Sequence, residues 1–300
     1  MFVLTCLFRS SIIVDMNRLD SDKRALVISC LVEGCSIRST TRMTGVSKKT
    51  VMRLLIEVGA VCDRFQDRMM RNLSCNRIQV DEIWSFCYAK ARNVTPKIRE
   101  EHPMAGDVWL WTALDADTKL VPAWCIGHRD AEAAQAFIRD LAGRLRNRVQ
   151  LTSDGHHAYL QAIAGVFGTE VDYSQLIKLY VADRQTEARY SPAKCIGCRK
   201  KVVIGAPDPE HISTSFVERQ NLTARMSMRR FTRLTNAFSK KIESHAAAIA
   251  LYYFTYNFIR IHQTLRTTPA MAAGVTDRLW EVSDLVALLE ASERGLERAA

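Results

Sequence analysis

Residues 78–89 read IQVDEIWSFCYA, and this stretch decides the fold class. Its Ile, Val, Trp, Phe and Tyr side chains favour a pleated, half-buried strand, and Asp81 breaks an otherwise apolar run. A polar loop rich in Lys and Arg (residues 90–102) comes next, then VWLWTALDADTKLVPAWCIG at 108–127. Two apolar runs there flank Asp115-Ala116-Asp117-Thr118-Lys119, whose turn chemistry predicts a hairpin. DAEAAQAFIRDLAGRL (130–145) places apolar residues at 133, 134, 137, 138, 141 and 145, the spacing of an amphipathic helix. RVQLTSD (148–154) then reads as a short fourth strand. Strand, hairpin, helix and strand predict a mixed α/β sheet in which the fourth strand returns beside the first through a crossover. In that arrangement Asp81 and Asp154 come close.

Three acidic residues occupy unlike local settings: Asp81 in the first strand, Asp154 in VQLTSDGHHAYL (149–160), and Glu218 in STSFVERQNL (213–222). Carboxylates from separate elements that meet in a fold can hold hard divalent cations. A pair of such ions roughly 3.5–4 Å apart stabilises both the attacking and leaving oxygens of phosphoryl transfer. Asp is short and suits a ligand fixed on a strand; Glu reaches further from a helix. The chain has 32 acidic residues, so spacing alone also fits turn formers and solvated charges. Asp115 and Asp117 read as turn residues. Glu82 alternates to the face opposite Asp81 and is not expected to be a ligand. His156 and His157 either orient a phosphate or water, or are ordinary loop histidines, and Asn221 is a further auxiliary candidate. Tyr159 reads as packing.

The formal charge of +10, from 42 basic and 32 acidic residues, favours a polyanionic partner, most commonly nucleic acid. Seven basic residues and no acidic one lie between 219 and 241: Arg219, Arg225, Arg229, Arg230, Arg233, Lys240 and Lys241. Glu218, Asn221, Arg225 and Arg229 recur at helical intervals, predicting a helix with a carboxylate at its start and phosphate-binding arginines along one face. Near the N-terminus, SDKRALVISCLVEG (21–34) predicts a helix closed by Gly34, and residues 36–44 a second one ended by Gly45. Ser47 caps a third, expected to stop at Gly59. Two short helices around a Gly turn form a helix-turn-helix pattern, with Ser47, Lys48, Lys49, Thr50 and Arg53 placed to meet DNA. A bundle that only packs has the same pattern. Residues 60–77 read as a linking helix and solvated connector. ESHAAAIALYYFTYNFIRIHQTL (243–265) reads as core, ended by Pro269, and a last amphipathic helix spans about 283–298.

Nine scattered cysteines fit reduced thiols in a cytoplasmic protein. Cys195 and Cys198 form a lone CxxC in the loop between Asp154 and Glu218; structural zinc needs four ligands, so zinc there is not expected. No apolar run reaches the roughly 18 residues of a membrane span. Residues 1–15 make a poor signal peptide and read as a disordered or mis-started extension.

DEIWSF (81–86), GDVWLWTALDADTK (106–119), QLTSDGHHAYL (150–160), YSPAKCIGC (190–198) and above all HISTSFVERQNLTARMSMRRFTRLTNAFSKK (211–241) resemble bacterial insertion-sequence transposases of the insertion-sequence-one family. The resemblance runs over about residues 17–280. It implies an RNase H-like DDE core with Asp81, Asp154 and Glu218 as catalytic, metal-holding carboxylates and dependence on Mg²⁺, two ions for which Mn²⁺ substitutes. It also implies cleavage at transposon ends and attack of the freed 3′-OH on target DNA. The domain layout expected is an extension at 1–16, a helix-turn-helix domain at 17–62, a linker at 63–77, an RNase H-like domain at 78–265 with an insertion at about 170–212, and a helical tail at 266–300. DNA-binding residues expected are Ser47, Lys48, Lys49, Thr50, Arg53, Arg225, Arg229, Arg230 and Arg233. The protein is expected to bind transposon ends and target DNA as a homodimer or larger assembly in the bacterial cytoplasm, with no membrane partner. A catalytically silent DNA-binding regulator derived from a transposase is the alternative, and a general nuclease on the same fold a third reading.

Overall fold

The computed structural model describes residues 18–181, 194–232 and 236–299. The expected extension at 1–16, like Arg233, lies outside the described residues. Along the chain come α1 (Ser21–Val32), α2 (Ile37–Thr44), α3 (Lys48–Met69), β1 (Arg77–Cys87), α4 (Pro96–Glu101), β2 (Gly106–Asp115), β3 (Trp124–Gly127) and α5 (Ala131–Ala142). Then come β4 (Val149–Ser153), α6 (Ala158–Phe167), β5 (Val171–Val181), β6 (Lys194–Ile204), α7 (Ser215–Ser227), α8 (Ile242–Phe254), α9 (Pro269–Ala272) and α10 (Val282–Ala299). The described residues divide into two compact units. One comprises Met70–Trp84 and Trp109–Thr223; the other holds those up to Met69, Ser85–Val108 and those from Ala224 on.

The first unit is built on a mixed sheet of order β3-β2-β1-β4-β5-β6. β4 lies parallel to β1, with Val80 opposite Ser153, so Asp81 follows this rung within β1 and Asp154 follows it just past the end of β4. β5 is parallel to β4, whereas β3 runs antiparallel to β2 and β6 antiparallel to β5. The β2–β3 turn is held by Asp115, whose carboxylate accepts from the Asp117 and Thr118 amides and the Thr118 hydroxyl, as turn chemistry predicts. α5 starts where Asp130 accepts the Ala133 amide at 2.9 Å. It buries Ala134, Phe137, Ile138 and Leu141, the face set by its 3.6-residue period. Each of the last three contributes roughly 1.5–3 kcal/mol by leaving water. Other residues buried in this unit include Val80, Ile83, Leu110, Leu151 and Tyr173, and Trp111 packs 6.1 Å from Phe137 between ring centroids.

The expected insertion at 170–212 contains two sheet strands, and the CxxC falls on β6 rather than in a loop. Cys195 and Cys198 are exposed there, with Cys198 opposite Lys178. Alternation is hidden in the sequence by charges on an edge strand, which needs only one neighbour.

In the second unit, α1 and α2 start where Asp20 accepts the Lys23 amide and Ser36 the Ser39 amide. α2 ends at Gly45, whose φ of 72° lets the chain turn sharply toward Ser47 and α3. α3 does not stop at Gly59. It continues to Met69, burying Val61, Cys62, Phe65 and Gln66, so residues 60–69 are core helix rather than solvated connector. Gly59 marks a helix crossing: a Cβ there would stand 2.5 Å from the Ala247 Cα and carbonyl oxygen on α8. Further along, Phe65 packs edge-on against Phe254, Phe258 and Trp280. Pro269 opens the short helix α9 instead of merely closing the segment before it, as suits its fixed φ at a first helical position. The polar loop at 90–102 contains α4.

The basic segment after Glu218 is not one helix. α7 ends at Ser227, and Arg229–Phe231 form a 3-10 turn. Arg225 donates to the Phe231 carbonyl at 3.2 Å. Arg229 is exposed. Arg230 turns inward and donates to Ser239 Oγ at 2.7 Å and the Ser244 carbonyl at 2.9 Å. Its assignment to a DNA surface is therefore corrected: its guanidinium is committed to internal acceptors.

No helix among the described residues is long and apolar enough to cross a membrane.

Candidate active site

Asp81, within β1, and Asp154, just past the end of β4, each follow the paired rung Val80–Ser153 by one residue, and the parallel pairing brings their carboxylates together. Glu82 joins them. Oxygens of Asp81, Glu82 and Asp154 lie within 4.8 Å of one another, the group of three among the described residues able to hold a metal ion. This corrects the expectation that alternation removes Glu82. Alternation fixes where Cβ points, but the longer Glu side chain is drawn to the cluster by two donors. Tyr159 Oη donates to Glu82 at 3.0 Å, and Arg129 Nε donates at 2.7 Å. Tyr159 is fully buried, so it packs as expected and also holds the carboxylate. Arg129 lies across Trp109, its guanidinium 4.8 Å from the ring centroid.

Glu218 reaches the site from α7, and Gln79 sets its position. Gln79 Oε1 accepts the Phe216 and Val217 amides at 2.9 and 3.0 Å, capping two free N–H groups of the helix start against β1. Gln79 and Asp81 share a strand face. One turn along α7, Asn221 donates to Asp81 Oδ2 at 2.7 Å. Glu218 sits between these contacts, receives the Thr214 hydroxyl, and pairs with Lys178 from β5. It is outside the group of three, yet its charge is felt at Asp81.

The electrostatics reflect this crowding. Asp81 is pushed up to about 7, first by burial and then by the Glu82, Asp154 and Glu218 charges; a backbone hydrogen bond opposes the shift. Burial and then Asp154 also raise Glu82, with Arg129 opposing. Burial and the same carboxylates lift the Tyr159 phenol well above its usual value, so it stays a donor. Like charges this close disfavour full ionisation unless a cation enters. The donor set is all oxygen, which suits a hard divalent ion.

Two buried polar atoms beside the cluster are left without a partner, Asn221 Oδ1 and His156 Nε2. The His156 backbone N–H donates to Asp154 Oδ1 at 2.9 Å, and its ring stacks on Trp111. His157 is exposed at the start of α6. Of the remaining sequence candidates, Ser47, Lys48, Lys49 and Arg53 are exposed around the start of α3; Thr50 is half-buried and meets the Ser47 hydroxyl at 2.9 Å. Sequence reasoning passes over Gln79, Arg129, Lys178 and Thr214. Tyr159 is visible five residues after Asp154, but nothing local marks an aromatic as a carboxylate donor. Arg129 carries no signal at all.

A family model described as "DDE domain" (DDE_Tnp_IS240) matches residues 104–194. The match supports a DNA-processing DDE enzyme. It takes in β2 through β5 and Asp154, and leaves Asp81 and Glu218 outside. Among solved structures, a cryo-EM structure of a piggyBac transposase synaptic complex with hairpin DNA is similar at 9% identity and a TM-score of 0.42. That likeness covers 91% of this chain and 71% of the other. A TM-score at that level does not establish a shared fold. No curated protein matches.

Proposed function

We propose that this protein is a DNA transposase of the insertion-sequence type, with an RNase H-like core, that cuts at terminal inverted repeats and joins the freed end to target DNA. The observation that carries the reading is the convergence of Asp81, Glu82 and Asp154 within 4.8 Å, in a chain whose residues 104–194 match a DDE domain. Asp81, Asp154 and Glu218 are the catalytic carboxylates in this reading. Asp81 and Asp154 would hold Mg²⁺, with Mn²⁺ as a substitute, and Glu218 would complete a second position. When bound, such ions supply an activated water and charge stabilisation at the phosphoryl group. The unpartnered Asn221 Oδ1 and the all-oxygen donor set favour this occupant.

The chain's own residues do the rest. Arg129 and Tyr159 fix Glu82, so one carboxylate keeps its position whatever the cluster binds. Asn221 holds one oxygen of Asp81. Lys178 neutralises Glu218 and is placed to exchange that contact for a phosphate. Helices α1 to α3 are the candidate end-reading module, with Lys48, Lys49 and Arg53 exposed at the start of α3.

The test uses DNA carrying the inverted repeats that flank the encoding gene. In Mg²⁺, Asp154→Asn is expected to lose cleavage and joining while gel-shift affinity for the end persists. Cleavage at the wild-type rate by that variant would remove the assignment. Binding without cleavage by the wild-type protein would favour the silent regulator.

A further inference from the structure

The side chain that meets Asp81 from α7 is only half satisfied. Asn221 is 7% exposed, and its Nδ2 donates to Asp81 Oδ2 at 2.7 Å. Its Oδ1 is buried and receives no hydrogen bond. Turning the amide over does not cure this. The oxygen would then face the Asp81 carboxylate, and the Nδ2 hydrogens would be stranded instead. An empty buried acceptor is costly, and an apolar side chain of the same volume would avoid the cost. Such an atom therefore calls for an occupant. Water is a poor one, because Oδ1 is closed to solvent. A water oxygen approaches no nearer than about 2.7 Å, whereas a hard cation sits at about 2.0–2.6 Å from an oxygen and fits a tighter space.

The position is right for one. The oxygen and nitrogen of an amide are about 2.2 Å apart, so Oδ1 lies within about 4.9 Å of Asp81 Oδ2. Two ligands of one hard cation stand up to about 4–5 Å apart, twice the metal–oxygen distance. Glu218 precedes Asn221 by three residues on α7, which puts both on one face of the helix. The start of that helix is fixed to β1 by the two amides that Gln79 Oε1 accepts, and Gln79 shares a strand face with Asp81. Asp81, Glu218 and Asn221 thus offer oxygens from two elements on one side of the sheet. Neutrality matters here. Asp81 already feels the charges of Glu82, Asp154 and Glu218, and another carboxylate would add to the repulsion. An amide adds an oxygen without a charge.

We infer that Asn221 Oδ1 is a ligand of a hard divalent cation held between Asp81 and Glu218, while Nδ2 keeps the Asp81 carboxylate turned to the same ion. Lys178, now paired with Glu218, gives up that partner when the cation enters. The inference rests on the metal-holding role proposed for the carboxylates, and not on the DNA the cation would act upon. A brace that works through Nδ2 alone would leave Oδ1 empty, which is the reading to be beaten.

The probe is Mn²⁺ alone, added to the chain free of DNA. Calorimetry gives its affinity, and water-proton relaxation counts the waters left on the bound ion. Asn221→Leu keeps the volume and removes both polar atoms, whereas Asn221→Asp keeps an oxygen and removes the donor. The Leu variant is expected to bind Mn²⁺ at least about tenfold more weakly, with an extra water on the ion in place of the lost ligand. The Asp variant should hold Mn²⁺ no more weakly than wild type, with the wild-type water count. Asn221→Ala makes the same prediction as Leu, and decides the question if circular dichroism shows that the Leu variant does not fold. An unchanged water count in a folded Leu or Ala variant overturns the ligand whatever happens to affinity, because a brace can weaken binding but vacates no coordination position. Each protein is also assayed for Mg²⁺-dependent cutting of DNA bearing the flanking repeats. If the Leu variant gains a water but the wild type never cuts, the transposase reading falls and the ligand stands. If the wild type cuts and the variants keep its water count, the ligand alone falls. A wild type that binds no Mn²⁺ removes the ligand, and one that also fails to cut removes the transposase reading with it.

Discussion

One strand carries two polar clusters of opposite character. At Asp81 and Glu82, β1 delivers carboxylates beside Asp154, three like charges with oxygens within 4.8 Å. Four residues after Asp81, Ser85 enters a chain of neutral and singly charged groups in which each hydrogen bond is accounted for. Ser85 Oγ donates to the Val108 carbonyl at 3.0 Å, so at its 3.0 Å contact with His245 Nε2 it must accept. His245 is then the Nε2–H tautomer, and its Nδ1 accepts from Ser239 Oγ at 3.2 Å. Ser239 Oγ in turn accepts from Arg230. His245 is fully buried and held down to about 3, chiefly by burial and then by the Arg230 charge. A satisfied network specifies packing, whereas a frustrated one is poised to bind something. The difference separates architecture from chemistry without reference to any relative.

The sharpest way to break this contrast is a pair of substitutions. Asp81→Asn is expected to lower single-turnover cleavage by about a thousandfold or more, equivalent to roughly 4 kcal/mol of barrier, while leaving the chelated protein at least as heat-stable as wild type. It removes one charge from a repelling cluster. His245→Ala should do the reverse. It strands Ser85 and Ser239 and opens a cavity, and is expected to cost about 2–4 kcal/mol in denaturant titrations. Cleavage by the fraction that remains folded should be unchanged. Equal losses of stability in both variants would mean that the two clusters do the same job.

Much of the first cluster is legible in the sequence because it obeys period-two logic. Apolar runs ending at Asp81 and Asp154 predict neighbouring strands, and β1 and β4 do pair in parallel. The second cluster is not legible. Ser85, Ser239 and His245 look like an ordinary strand serine, a loop serine and a helical histidine, brought together by packing that no local pattern encodes. Gly59 misleads for the same reason. As a glycine after an amphipathic run it reads as a stop, and only the approach of Ala247 shows why the helix needs it in mid-course. Glu82 misleads for a subtler reason: backbone alternation is right, but it takes no account of the side chain's reach. β5 and β6 escape notice because an edge ribbon bearing Arg199, Lys200 and Lys201 is too polar to resemble a buried strand.

Acid–base behaviour sharpens the comparison further, because the clusters have opposite signs. Asp81 is held near 7 against an ordinary value of 3.8, so between about pH 4 and 7 the folded chain keeps a proton that the unfolded chain has lost. Its contribution to stability is present below pH 4 and is lost as pH rises through 7. His245 is held near 3 against 6.5, so between those values the unfolded chain binds a proton that the folded chain refuses. Its contribution is present above pH 6.5 and is lost as pH falls toward 3. Each has a limiting slope of about 1.4 kcal/mol per pH unit, and from pH 4 to 6.5 they oppose. With a chelator present, Asp81→Asn should leave stability rising with pH across that window more steeply than in wild type. His245→Gln should leave it falling relative to wild type. Denaturant midpoints at three pH values suffice, and parallel curves for all three proteins would contradict the assigned shifts.

The smallest effect tests whether Glu82 belongs to the first cluster or merely borders it. Tyr159→Phe deletes the hydroxyl that donates to Glu82 at 3.0 Å and leaves the Arg129 contact in place. The loss of one buried hydrogen bond should cost about 1 kcal/mol of stability. With one donor gone, the Glu82 carboxylate is both less fixed and more readily protonated. If its oxygen is part of the cation's surroundings, Mn²⁺ affinity measured calorimetrically should fall about tenfold, the ordinary consequence of removing a group that orients a ligand. The deficit should be larger at pH 6 than at pH 8, because protons compete for the freed carboxylate. If Glu82 only packs, stability falls by the same amount and Mn²⁺ affinity does not move. The cation would then depend on Asp81, Asp154 and Glu218, and Lys178 would have to release Glu218 before the set was complete.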